Sequence, residues 1–194
     1  MDIEGFMRTV NLVDLLVLVY MFGWFVLGFA QGTIRRLVGI LTMTFSFFLA
    51  AQLQVPLGTF LTAHWTQFPP GYASMIGFGM VFLAAVIAFA LVVQGTYTRV
   101  AVFAEHPVID EVLGGVLGLV QGGLLMIFVV IILDQFFITA PAVKDASELP
   151  LLRELWTAIN GSWTGLKLHE TIIPTFVTLT GFFLPAGVRA TYGK

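Results

Sequence analysis

The sequence predicts an all-α, polytopic membrane protein with four transmembrane helices arranged as two hairpins, followed by C-terminal amphipathic or interfacial helices. Three observations predict this class. Of 194 residues, 58% are hydrophobic and 10% charged, with mean hydropathy +0.97, whereas soluble domains carry roughly 25% charged residues. Four apolar stretches each approach the ~20 residues that a bilayer-spanning helix needs. One stretch carries glycine at every fourth position, a spacing that lets helices approach closely in lipid.

The four predicted spans cover residues 12–30, 34–53, 72–93 and 112–133, within a transmembrane domain over residues 1–134. The first two cannot form one helix, because residues 12–53 would extend about 63 Å, twice the hydrocarbon thickness. A break at residues 28–33 forms a tight hairpin instead. It also places Arg35 and Arg36 at a membrane surface, where their charges are tolerated.

The two longer connections differ in character. Residues 54–71 contain three prolines and no charged residue. Their aromatic side chains, with His64 and Trp65 among them, predict a half-buried interfacial segment. The connection over residues 94–111 carries Arg99, and its Pro107 suits the first turn of the fourth helix.

The C-terminal tail, residues 135–194, is predicted to be extramembrane or interfacial. Residues 148–159 predict an amphipathic helix with an N-cap at Ser147 and a stop at Asn160 and Gly161. Polar residues occupy one face of this helix, and the other carries Leu149, Leu152, Leu155, Trp156 and Ile159. Residues 171–184 are apolar, but they are short and contain Pro174. We therefore expect an interfacial or re-entrant segment rather than a fifth span.

The distribution of positive charge predicts the orientation. With four spans, both termini lie on the same side of the membrane. The opposite side holds Arg35, Arg36 and Arg99 close to the spans. The positive-inside rule then favours both termini outside.

Two groups of glycines predict close helix packing. Gly114, Gly118 and Gly122 share one face of the fourth helix. Gly28 and Gly32 form a similar pair at the end of the first. These faces either pack the chain's own bundle or bind another membrane protein or a second copy of the chain.

Polar residues near or within the spans are candidates for function. Asp14 is either a membrane carboxylate in a proton or ion path or a first-turn acid beside an Asn11 cap, favoured by the helix dipole. Asp110 has the same two interpretations and is expected on the surface that holds the two arginines, where it could pair with Arg35 or Arg36. Gln121, deep in the fourth span, either hydrogen-bonds across helices or lines a pore.

Several function classes find no support. The absence of cysteine excludes disulfides and thiolate metal sites, and a net charge of −2 gives no basic field for nucleic acid. For His64, His106 and His169, which are scattered, interfacial hydrogen bonding is favoured over metal binding. No catalytic or nucleotide-binding motif is found. We therefore predict no enzyme, cofactor or metal site, while contact with lipid, quinone or pigment stays open.

Several segments resemble the colicin V production protein (CvpA) family. Residues 11–16 and 28–37 resemble its first hairpin. Residues 107–118 are similar to its Asp-x-x-x-Gly-x-x-x-Gly entry to the fourth helix, here beginning at Asp110. Residues 147–152 resemble a short Ser-x-Leu-Pro-like element. The chain departs from the family at Glu111, where Arg or Lys is frequent, which puts an ion pair at that point in doubt.

The resemblance covers about residues 11–155 and implies a four-helix protein of the bacterial inner membrane. The family is linked genetically to toxin export and envelope maintenance and has no established chemical activity. A related four-helix module anchors a periplasmic trypsin-like protease. That arrangement implies a C-terminus outside, in agreement with the charge distribution.

Three functions follow as hypotheses. The first is a non-enzymatic scaffold that assembles with itself or other membrane proteins and uses the C-terminal tail as its contact surface. The second is a small transporter or channel component that uses Asp14, Gln121 and the two arginines. The third is an accessory subunit of a photosynthetic or respiratory complex, with aromatic faces in contact with pigment, quinone or lipid.

Overall fold

The all-α class and the four membrane-spanning helices are confirmed. The computed structural model describes residues 11–96, 107–138 and 148–192. Arg99, His106 and Ser147 lie outside these ranges. Four helices are long and apolar enough to cross a membrane; they are α1 (Leu12–Gln31), α2 (Thr33–His64), α3 (Pro70–Thr96) and α4 (Pro107–Phe137).

Local sequence explains where α1 and α4 begin and how α1 ends. The Asn11 side chain caps α1 by accepting from the backbone N–H groups of Val13 and Asp14, and the Asp14 carboxylate accepts from the Asn11 N–H in return. Gly32 separates α1 from α2 and has φ +76°, a left-handed conformation that favours glycine. The chain can therefore reverse within one residue. Pro107 begins α4, as predicted.

The second helix is longer than predicted, because it continues through Pro56 to His64. Most of the segment over residues 54–71, which is predicted to be interfacial, is therefore helical. Packing explains the continuation, since a Cβ on Gly58 would lie 2.7 Å from Oγ of Ser74 in α3. A proline inside a membrane helix is tolerated, and Thr59 Oγ1 donates a side-chain hydrogen bond to the Pro56 carbonyl at 2.8 Å.

The main helix contacts lie between the two hairpins rather than within each one. Helix α1 packs along α4, and α2 packs along α3 and more weakly along α4, whereas α1 and α2 make few contacts with each other. The physical reason lies in the side chains at each contact. Glycines line the α1–α4 contact, and large aromatic rings join α2, α3 and α4.

The core is an aromatic cluster centred on Phe47. The Phe47 ring stacks on the ring of Phe128 with centroids 4.1 Å apart and lies 5.6 Å from the Phe78 ring. Phe176, from the C-terminal tail, approaches Phe128 to 5.6 Å. The tail therefore contributes to the same core as the long helices.

The described part of the C-terminal tail is a chain of short helices. These are α5 (Pro150–Asn160), α6 (Trp163–Lys167), a π-helical turn (Leu168–Ile172), α7 (Ile173–Thr180), a 3-10 turn (Gly181–Phe183) and α8 (Ala186–Tyr192). The stretch 171–184 is thus broken into pieces. It is not among the helices long enough to span a membrane.

An amphipathic helix is present as α5, which begins at Pro150 with Leu149 as its N-cap, two residues later than predicted, and ends at Asn160 with Gly161 as its C-cap. Its apolar face is divided between two environments. Leu152, Trp156 and Ile159 pack against the core, while Leu149 and Leu155 are exposed. The side chain of Asn11 donates to the Gly161 carbonyl at 2.9 Å, so the start of α1 and the tail lie at the same end of the bundle.

Candidate functional site

The glycine interface consists of Gly28, Gly32, Gly114, Gly118 and Gly122, which lie where α1 meets α4. A Cβ on Gly118 would overlap the Trp24 carbonyl oxygen, and a Cβ on Gly28 would overlap the Gly114 carbonyl. A Cβ on Gly122 would lie 2.7 Å from the Trp24 ring. The two backbones are therefore in direct contact. The glycine face of the fourth helix is occupied by the chain's own first helix.

Two aromatic residues of α1 fill the end of this interface. The Tyr20 hydroxyl donates to the Gly122 carbonyl at 2.9 Å. The Trp24 ring meets the Tyr20 ring edge-on, with centroids 6.2 Å apart. Since no side chain projects from Gly122, the indole of Trp24 lies directly on the α4 backbone.

Arg36 is buried inside the bundle, a burial that the sequence did not predict. Arg35 is exposed, but Arg36 is only 4% exposed. Its Nη1 donates to Gln121 Oε1 at 2.8 Å, and its guanidinium lies 5.2 Å from the Trp24 ring centroid, within range of a cation–π interaction. The reason is that α2 begins at Thr33. Successive side chains then point in different directions around its first turn, and position 36 faces the bundle.

Gln121 therefore contacts another helix, and Gly39 makes the space for it. A Cβ on Gly39 would lie 2.9 Å from Gln121 Nε2. Gly39 and Arg36 both belong to α2, so the Gln121 amide of α4 lies against that helix. Among the two interpretations of Gln121, this geometry favours a hydrogen bond across helices.

Asp110 contacts the turn between α1 and α2. Its Oδ2 would lie 2.5 Å from a Cβ on Gly32, and its backbone carbonyl accepts from Thr33 Oγ1 at 3.0 Å. Within the described ranges, no ion pair joins Asp110 to Arg35 or Arg36. The expected pairing is therefore not found there, since Arg36 turns toward Gln121.

Asp14 joins α1 to the C-terminal tail. Its Oδ1 accepts from the backbone N–H of Thr164 at 2.8 Å and from the Thr164 hydroxyl at 2.7 Å. Its Oδ2 accepts from the N–H groups of Asn11 at 3.0 Å and Trp163 at 3.3 Å. One carboxylate thus satisfies donors at the starts of both α1 and α6. This geometry favours the structural interpretation of Asp14 over an ion path.

A second anchor, the Asp134 cluster, consists of Asp134, Trp156, His169 and Tyr192. Asp134 is 2% exposed, near the end of α4. Its Oδ1 accepts from Trp156 Nε1 at 2.7 Å, and its Oδ2 accepts from His169 Nε2 at 2.8 Å and from the Tyr192 hydroxyl. Three parts of the tail therefore converge on one buried carboxylate.

The protonation of His169 and Tyr192 explains how the Asp134 carboxylate receives its hydrogen bonds. His169 Nδ1 faces the Gly165 carbonyl at 3.0 Å, so both ring nitrogens face acceptors, and only a protonated ring donates to both. The hydrogen bond to Asp134 raises the pKa of His169 above its usual value. Burial, with the nearby carboxylate, raises the pKa of Tyr192, so its hydroxyl stays protonated and donates.

A third anchor lies at the start of the described tail. Glu148 is buried and accepts from Nε and Nη2 of Arg153 at 2.6 and 2.7 Å. The Arg153 guanidinium lies 5.3 Å from the Phe137 ring centroid. A bidentate pair of this kind fixes geometry as well as charge.

His64 and Trp65 lie at the end of α2. His64 Nδ1 faces the Phe60 carbonyl at 2.8 Å, and the Trp65 N–H donates to the Leu61 carbonyl at 2.7 Å. Trp65 also lines an apolar cavity of about 400 Å³ with Tyr72. Over the described ranges, no three His, Asp or Glu side chains are placed to hold a metal ion.

Sequence reasoning missed the Asp134 cluster and the Glu148–Arg153 pair. Asp134 ends an apolar stretch and was assigned to the boundary of the transmembrane domain. Its partners lie 22, 35 and 58 residues further along the chain. A usable signal exists, because Asp134 continues the helical spacing of Ile127 and Ile131, both of which are buried.

The comparisons with known proteins give one match. The family model described as colicin V production protein matches residues 13–158. This range includes the glycine interface, Asp14, Asp134 and α5, and it ends before His169 and Tyr192. No curated protein and no solved structure matches the chain.

Substitution of Gly118 by alanine tests the glycine interface. We expect Gly118→Ala to lower the free energy of unfolding by about 1–3 kcal/mol, because the added methyl overlaps the Trp24 carbonyl. The measurement is thermal unfolding in detergent, followed by helical circular dichroism. Gly123→Ala is the matched control, since a Cβ there meets nothing within 4 Å and alanine favours the helix. Equal stability of the two variants would contradict the interface.

The Asp134 cluster predicts a pH dependence. Because the pKa of His169 is raised in the folded protein, the stability contributed by its charge is fully present below the unfolded value of 6.5. It is lost as pH rises through the folded value. We expect the unfolding temperature to fall as pH is raised through this window. A His169→Gln variant should lose that dependence, and an unchanged slope in the variant would assign the effect to other groups.

Proposed function

Because the family model matches residues 13–158, the chain belongs to the colicin V production protein family, and we propose that it is a non-enzymatic scaffold of the bacterial cytoplasmic membrane. It assembles with other membrane proteins or with a second copy of itself. The process it serves, by family resemblance, is toxin export or envelope maintenance. One observation carries the proposal: a fixed tail that presents apolar side chains outward.

The C-terminal tail is held in a fixed position against the long helices. Asp14 and Asp134 join different parts of it to the long helices with charge-assisted hydrogen bonds, and the Glu148–Arg153 pair fixes the start of the described tail. Such bonds are about twice as strong as those between neutral groups. A tail held in this way costs little further conformational entropy when a partner binds.

The outer surface of the tail is apolar. Leu151 on α5 is 73% exposed, Leu179 on α7 is 72% exposed, and Phe182 is 79% exposed. Exposed apolar side chains on an anchored, partly polar segment are typical of a protein or membrane contact surface. We assign this surface to partner binding.

The glycine interface also supports partner binding at the tail. Its close contacts lie between α1 and α4 of one chain, so it is not available to a partner. Partner binding then falls to the tail and to the lipid-facing sides of the helices.

The transporter hypothesis is not favoured by the geometry of its candidate residues. Four donors occupy the Asp14 carboxylate, and Gln121 is engaged with Arg36. Both contacts fix neighbouring helices to each other. The accessory-subunit hypothesis differs from the scaffold hypothesis only in the partner proteins, which co-purification identifies.

We place the tail outside the cytoplasm. Arg35 and Arg36 follow Gly32, at the end of the bundle opposite the tail, and the positive-inside rule favours that end inside. The protease-anchor arrangement of the related module supports the same orientation.

Assembly is tested by extracting the protein from native membranes in mild detergent and measuring its native mass with the co-purifying proteins. We expect a discrete assembly larger than the 21.2 kDa chain. The Leu151→Asp substitution should reduce it to the single chain, because a charge is placed on the contact surface. A photosynthetic or respiratory complex among the partners would instead identify an accessory subunit.

The matched control is Thr157→Asp, which adds the same charge to another exposed position of α5 and should leave the assembly intact. Thr157→Cys reports the orientation, since the chain has no other cysteine. An outside tail is labelled by a membrane-impermeant maleimide in intact spheroplasts. A wild-type protein extracted alone, or an assembly indifferent to Leu151→Asp, would contradict the proposal.

A further inference from the structure

Arg36 is a buried cation that lacks a protein counter-ion among the described residues. It is 4% exposed, and no ion pair of the described ranges includes it. Gln121 accepts from Nη1, but Nε is enclosed and finds no hydrogen-bond partner there. A guanidinium has five N–H donors. Burial of an uncompensated charge in a membrane protein is costly, and such residues mark functional sites.

An open cavity lies beside this guanidinium. It has a volume of about 240 Å³ and lies between α1, α2, α3 and α4. Trp24 lies over the face of the guanidinium, and Arg36 is among the residues that line the cavity. We call this space the arginine cavity.

The arginine cavity has one polar wall and one apolar wall. Polar side chains from α1, α2 and α4 supply hydrogen-bonding groups, and they are Gln31, Arg35, Arg36, Thr42 and Gln121. Apolar side chains supply the rest, chiefly Val86, Ala90 and Val93 of α3. A ligand that fits both walls has an anionic polar group joined to an apolar body.

We propose that the arginine cavity binds the phosphodiester headgroup of an anionic phospholipid. The lipid phosphate accepts from the free donors of Arg36 and supplies the missing negative charge. Arginine suits this task because its planar donors match two phosphate oxygens at once. The apolar wall of α3 receives the start of the acyl chains. Basic pockets between transmembrane helices bind such headgroups in other membrane proteins.

This site is independent of the scaffold proposal, which rests on the opposite end of the bundle. Lipid binding at Arg36 and partner binding at the tail can therefore fail separately. The position near the ends of α1 and α3 places the lipid in the leaflet that faces away from the tail.

The test uses the purified full-length chain in detergent, incubated with phosphatidylglycerol or with phosphatidylcholine of the same acyl chains. Native mass spectrometry counts the retained lipids, and thermal unfolding measures stabilisation. We expect one phosphatidylglycerol to be retained and to raise the unfolding temperature, with no such effect of phosphatidylcholine. Arg36→Gln should weaken phosphatidylglycerol binding by about tenfold or more, because the charged donor is lost.

The matched control is Arg189→Gln, which makes the same change at an exposed position in the tail and should leave binding unchanged. A second variant, Gln121→Glu, keeps the side-chain shape and places a carboxylate 2.8 Å from Arg36 Nη1. This internal counter-ion should stabilise the lipid-free protein and abolish the response to phosphatidylglycerol. It keeps the proposal testable if Arg36→Gln does not fold.

Three outcomes would overturn the proposal. Equal retention of the two lipids would show that charge is not recognised. An unchanged response in Gln121→Glu would place the lipid elsewhere. Full stabilisation by inorganic phosphate alone, with no further effect of phosphatidylglycerol, would assign the cavity to a free anion.

Discussion

Direct backbone contact between α1 and α4 is the constraint on which the rest of the structure depends. Side chains are absent along this line, because Gly28 of α1 faces Gly114 and Gly118 of α4. Few other residues of α1 are buried, and the span has only 6% of its most apolar window inside the protein. Close approach therefore replaces the broad apolar contact that holds a helix in water. It also positions the ends of α1, with Trp24 against Arg36 at one end and Asp14 against the tail at the other.

The remaining helices are held by a different kind of packing. Stacked and edge-on aromatic rings join α2, α3 and α4 around Phe47, and Phe176 extends this cluster into the tail. Polar anchors then fix the tail, with Asp134 as the point of convergence. Helix α4 takes part in both the glycine contact and the aromatic core. Its N-terminal half carries the glycines, and its C-terminal half carries Phe128 and Asp134. It is the element that couples the membrane domain to the tail.

Sequence reasoning succeeds where the signal is local and fails where the partner is distant. The spans follow from hydropathy, and Gly114, Gly118 and Gly122 define a helix face by spacing alone. Which helix meets that face cannot be read from the spacing, and so the contact of α1 with α4 does not follow from the sequence. Arg36 and Gln121 are 85 residues apart, and neither position indicates a buried contact by itself. The Asp134 cluster is similar, since its carboxylate looks like the start of a linker until His169 is brought beside it. Pro56 lies outside the predicted second span, but packing against α3 carries the helix through it.

The measurement that tests the central contact most directly is disulfide formation between Trp24→Cys and Gly122→Cys in the same chain. A Cβ on Gly122 would lie 3.1 Å from the Cβ of Trp24, near the separation of about 3.5–4.5 Å found in disulfides. The chain has no other cysteine to compete. Oxidation in native membranes should give an intramolecular bond in a monomer. The pair Trp24→Cys with Gly123→Cys should give none, because a Cβ on Gly123 meets nothing within 4 Å. Disulfide-linked dimers of the Trp24→Cys, Gly122→Cys chain would contradict the account, because the glycine face would then meet a second chain rather than α1.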